Sequence, residues 1–95
     1  MKNEAAVIAG VVFEDTIRTI ARSVGISENR NKLDNVISDL DKADIITGLK
    51  AKRARAAAGL RTSATHARWE EFELTDVKPA IDLTRELIVA HLGGD

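Results

Sequence analysis

The chain has 95 residues, of which 44% are hydrophobic, 31% charged and only 3% aromatic, with a formal net charge of −1. This composition excludes a disordered chain and suits one soluble domain, residues 1–95, with a small core built from Leu, Ile, Val and Ala. The absence of Cys excludes disulfides and thiolate metal sites and fits the cytoplasm, and His66 and His91 cannot by themselves form a His-rich metal site, so neither metal nor cofactor is expected.

The first predicted element is a helix over about Asn3 to Ser23. Ala6, Gly10, Phe13, Ile17, Ile20 and Val24 recur at steps of three and four and define its inner face. Ile8, Val11 and Val12 widen the apolar arc, as in a helix that is central or lies in a subunit interface. Glu14 and Asp15 directly follow the apolar stretch, so it does not read as a signal peptide. No run of about 18 apolar residues exists to cross a membrane. Gly25 is a natural stop.

After the polar loop "GISENRN", a second helix is predicted from Lys32 to Lys42, with Leu33, Val36, Ile37 and Leu40 inward. "KADII" reads as a turn and Thr47 as the cap of a third helix. That helix runs through "LKAKRARAAAGLRTSATHARW", firm to Leu60 because alanine is the best helix former, with a bend plausible near Thr62 and Ser63. Its expected core stripe is Ile46, Leu49, Ala57, Leu60, Ala64 and Ala67. The fourth helix is expected to be capped by Thr75 or Asp76, with Pro79 in its first turn and Gly93–Gly94 as its end. Ala80, Leu83, Leu87, Ala90 and His91 form its inner face. Four helices with short loops predict an all-α, up-and-down four-helix bundle that dimerises to complete its burial, taken from a longer protein or standing alone.

The charges are segregated. Between Ile45 and Trp69, 25 residues contain no acid and carry Lys50, Lys52, Arg53, Arg55, Arg61 and Arg68. Such a segment is either the footprint of an anionic partner or a helix neutralised by acids elsewhere in the fold. Arg53 is expected to snorkel or to pair with an acid from another helix.

Within this segment Arg61 and His66 are the residues of chemical interest. His moves protons near neutral pH, and Arg clamps a phosphate and offsets developing negative charge. RNA supplies its own nucleophile, the 2′-hydroxyl. Projected at about 100° per residue, Arg61 and His66 stand roughly 140° apart and off the core stripe, so a straight helix keeps them on different faces. A bend or a second copy of the helix is then needed to bring them together, and Ala54, Ala58 and Thr65 are small enough for a close approach. Lys50 and Arg68 align with Arg61 as supporting cations. Glu14 pairs with Arg18 at i+4 or faces solvent, Trp69 anchors the core or an interface, and His91 favours the helix C-terminus.

"AAAGLRTSATHARW" resembles the signature of the HEPN superfamily, an Arg, four to six residues, then a His, after an Ala/Leu-rich helix. Residues 4 to 92 are similar in layout to bacterial HEPN-like domains, with "EAAVIAGVVFEDTIRTIARSVGI" as the long first helix and "NKLDNVISDLDKADII" as the second. The resemblance implies a dimeric four-helix bundle and metal-independent RNA cleavage, in toxin, phage-defence or RNA-processing systems. It implies that Arg61 and His66 of both protomers meet in an interface cleft, Arg61 stabilising the phosphate and His66 transferring protons. It also implies an acid of the first helix near the motif, and an antitoxin or partner domain as a further partner. Active members commonly carry Asn, Asp or His after the Arg, where this chain has Thr62; a non-catalytic dimerisation or RNA- or protein-binding module is the alternative.

Overall fold

A computed structural model describes residues 1–93; Gly94 of the expected Gly93–Gly94 stop lies outside them. Four helices account for most of the chain: α1 (Lys2–Ser23), α2 (Leu33–Lys42), α3 (Gly48–Thr65) and α4 (Leu74–Leu92), with a 3₁₀ turn at Trp69–Glu71 before α4. No strand occurs among the described residues, and no helix is long and apolar enough to cross a membrane.

The first three helices end in the same way. After each, one residue takes a left-handed backbone conformation: Gly25 (φ 77°), Asp44 (φ 65°) and Ala67 (φ 54°). The N–H one residue further on then closes on a carbonyl of the last turn, Ile26 on Ala21 at 2.8 Å, Ile45 on Leu40 at 2.9 Å and Arg68 on Ser63 at 2.8 Å. This Schellman closure satisfies carbonyls that a helix end would otherwise leave unpaired. It stops α3 at Thr65, so the helix does not continue to Trp69; the helix runs through Thr62 and Ser63 without interruption, and His66 is its C-cap. Val24 likewise becomes the cap of α1 and is exposed rather than core. Thr47 occupies the N-cap of α3 in extended backbone, but its hydroxyl makes no capping bond. α4 begins earlier than expected. Its N-cap is Glu73, whose N–H donates to the Asp76 carboxylate at 2.8 Å, and Pro79 falls in the second turn.

α1 packs against all three other helices. Phe13, Ile17 and Ile20 are fully buried against Val36, Ile37 and Leu40 of α2 and Val77, Leu83 and Leu87 of α4. Each such side chain contributes about 1.5–3 kcal/mol by leaving water. α3 contributes small residues instead: Ala51, Ala54, Ala57, Ala58 and Ala64 are buried, with Leu60 as the one large side chain of the helix among them. These alanines let α3 approach α1 closely at Gly10, where the nearest α3 atoms belong to Arg61. Ala54 and Ala58 therefore serve packing within the chain, not the approach of a second copy. The buried arc of α3 is centred on the direction of Arg61, and the expected core residues Leu49 (71% exposed) and Ala67 lie outside it. Ala90 of α4 is exposed too.

The helix directions depart from the up-and-down expectation. Gly10 lies against Arg61, and Lys2 reaches the carbonyls of Trp69 and Phe72, so α1 and α3 are antiparallel. Arg53 pairs with Glu86 and Asp41 with Arg55, which sets α4 and α2 antiparallel to α3 as well. α1, α2 and α4 thus run one way and α3 the other. The cause lies in the loop between α1 and α2. Arg18 donates to the carbonyls of Glu28 (2.7 Å) and Asn31 (3.0 Å), which draws the chain back along α1 before α2 starts.

Candidate functional site

α1, the start of α2 and the end of α3 enclose a cleft of about 430 Å³, lined by Glu14, Lys32, Leu33, Asp34, Arg61, Thr62, Thr65 and His66. Arg61 and His66 therefore face one cleft within a single chain. The expectation that only a bend or a second protomer could bring them together does not hold. Arg61 projects toward α1 from the middle of the inner face, while His66 sits at the cap, and the walls supplied by α1 and α2 span the angle between them.

Arg61 is held by its neighbours. Its Nε donates to Glu14 Oε1 at 3.0 Å, and its side chain is three-quarters buried. Neither of its Nη nitrogens carries a hydrogen bond among the described residues, which leaves the forked edge that suits a phosphate. Glu14 Oε2 accepts from Arg18 Nε at 3.0 Å. Both expected roles of Glu14, the i+4 partner of Arg18 and the acid beside the motif, are thus filled by one carboxylate. Burial pushes the Glu14 carboxyl up, but hydrogen bonds from Arg61 and Arg18 and their charges outweigh it and hold the group below the ordinary carboxylate range.

His66 is exposed, and Ala67 after it is in the left-handed region, where a side chain costs about 1–2 kcal/mol. The turn that follows is clamped. Lys2 Nζ donates to the carbonyls of Trp69 (2.6 Å) and Phe72 (2.9 Å) and lies 5.2 Å from the centre of the Phe72 ring. Trp69 stands edge-on to Phe72, with ring centroids 6.2 Å apart, as a packing anchor. Ser63 donates to Glu71 at 2.9 Å across the same turn.

The supporting residues divide. Thr62 is exposed and lines the cleft. Lys50 is half-buried at the far end of α3, roughly 16 Å along the axis from Arg61 at 1.5 Å per residue, and Arg68 is exposed beyond the helix end. Neither lines the cleft. Lys32, not singled out from the sequence, does line it. Half of the six cations of the acid-free segment are paired within the fold: Arg53 makes a two-point pair with Glu86 (3.0 and 2.6 Å), Arg55 pairs with Asp41 (2.9 Å) and Arg61 with Glu14. Among the described residues no three His, Asp or Glu side chains converge as metal ligands. Comparison with family models, with curated proteins and with solved structures finds no match.

Proposed function

We propose that this chain is a HEPN-like, metal-independent endoribonuclease that works as a homodimer. The observation that carries the reading is that Arg61 and His66 line one cleft, with Arg61 fixed through Nε and its Nη nitrogens free of hydrogen bonds among the described residues. A phosphodiester seated on that edge gains two charge-assisted hydrogen bonds, which strengthen as the phosphorus takes on a fifth oxygen. His66 removes the proton of the 2′-hydroxyl, the 2′-oxygen bonds to phosphorus, and the 5′-oxygen leaves with a proton from water. The products are a 2′,3′-cyclic phosphate and a 5′-hydroxyl. Thr62 offers the cleft a hydroxyl in the position where similar domains commonly carry Asn.

The dimer reading is supported by the outer face of α1. Val7, Ile8 (65% exposed), Val11 and Val12 are exposed there, and Ile81 of α4 is exposed nearby. With Ala5, Ala9 and Ile88, several of them border an apolar groove of about 360 Å³ between α1 and α4. A patch of this kind on a small domain marks an association surface. The test is cleavage of single-stranded RNA in EDTA by the wild type and by His66→Ala. Activity in the wild type that His66→Ala abolishes supports the reading; equal activity in both, or none in either, rejects it. The same apolar face favours the second reading, a non-catalytic dimerisation or binding module. A dimer that binds RNA without cutting it would establish that alternative.

A further inference from the structure

We infer that Arg18, which does not line the cleft, is a positioning residue that keeps the phosphate site cationic by sharing Glu14 with Arg61. The inference rests on the reading of the cleft as a phosphodiester site. Alone with Arg61, Glu14 would bring both carboxylate oxygens to one guanidinium, and the pair would be neutral toward an incoming anion. Instead Oε1 accepts from Arg61 and Oε2 from Arg18, both at 3.0 Å. One carboxylate between two guanidiniums leaves one positive charge, and it leaves the Nη edge of Arg61 unused.

Arg18 can hold this place because its remaining nitrogens are committed. Nη1 donates to the carbonyl of Glu28 and Nη2 to that of Asn31, so the guanidinium cannot swing away from Glu14. The same two bonds fix the segment that ends at Lys32, whose charge is offset by that of Asp34 in the same lining, so the charge of Arg18 is the one that leaves the site positive. The side chain is three-quarters buried, which shields the arrangement from solvent and salt. The charge of the site is therefore set from the side of α1 facing the loop, by a residue that touches no substrate.

The test uses the full chain and 2′-O-methyl single-stranded RNA, which lacks the nucleophile and so reports binding alone. Arg18→Met is expected to weaken binding about tenfold and to lower the salt slope by about one. Adding Glu14→Gln to Arg18→Met is expected to return most of that loss, because Arg61 is no longer neutralised. Arg18→Lys, which keeps the charge, is expected to bind close to the wild type, and it carries the test if circular dichroism shows Arg18→Met unfolded. Arg18→Met binding as the wild type does, a double variant no better than Arg18→Met, or Arg18→Lys as weak as Arg18→Met each overturns the role of Arg18 while leaving the cleft reading in place. A wild type that binds no RNA overturns the cleft reading and the role together.

Discussion

The close approach of α1 and α3 predicts that one substitution, Gly to Ala, changes stability in opposite directions at two helical positions. A Cβ on Gly10 would stand 2.8 Å from Cδ of Arg61, 3.2 Å from its Cα and 3.3 Å from its Cβ. Ordinary carbon contacts lie at about 3.5–4.0 Å. Cδ can move, but Cα belongs to the α3 backbone and Cβ is fixed to it, so the two helices must separate by a few tenths of an ångström. Overpacking of this kind costs about 1–3 kcal/mol, set against a gain of about 1 kcal/mol from replacing a helical glycine. The net effect for Gly10→Ala runs from about zero to a loss of about 2 kcal/mol. Gly59 is also inside a helix, but nothing stands within 4 Å of its added Cβ, so Gly59→Ala keeps the whole propensity gain of about 0.5–1 kcal/mol. Urea unfolding at one fixed protein concentration measures both, and each kcal/mol corresponds to about 4–8 °C in melting temperature. Gly10→Ala equal to or more stable than Gly59→Ala would refute the packing argument. Because Arg61 Cδ is the atom pushed, Gly10→Ala should also lose RNA binding, and Gly59→Ala should not.

Three further outcomes are expected. Glu14 has a lowered folded pKa, so its contribution is present at neutral pH and is lost as pH falls through that value; unfolding measured against pH should show this acid limb in the wild type and lack it in Glu14→Gln. Ala67→Gly should raise stability by about 1 kcal/mol in thermal unfolding, since glycine relieves the left-handed backbone after His66, and a loss would contradict the strain assigned there. Leu83→Ala should cost about 2–5 kcal/mol, whereas Leu49→Ala should stay within about 0.5 kcal/mol, a contrast that chemical denaturation reads directly.

The four helices were legible in the sequence because apolar spacing and alanine content report local geometry well, and Gly25 and Gly93 marked two of four left-handed stops. The other two, Asp44 and Ala67, were not legible, because no glycine marks them and non-glycine residues enter that conformation uncommonly. That is why α3 was expected to reach Trp69. The rotation of α3 was misread for a related reason. In an alanine-rich helix the largest apolar side chains, Leu49 and Leu60, dominate a periodicity reading, while close packing at Gly10 turns the small side chains inward. Arg61 and His66 were visible as candidates, but their shared cleft was not, since α1 and α2 build half of it. The reversed sense of α2 depends on the bonds from Arg18 to the returning loop, which no spacing rule encodes.

The central claim, that Arg61 and His66 act on one phosphodiester through the RNA 2′-hydroxyl, is tested most directly by the ends of the products. RNA incubated with the wild-type chain in EDTA should yield 2′,3′-cyclic phosphate and 5′-hydroxyl termini by mass spectrometry, and both Arg61→Ala and His66→Ala should abolish them. Products with 3′-hydroxyl and 5′-phosphate ends, or cyclic-phosphate products that persist in His66→Ala, would contradict the account.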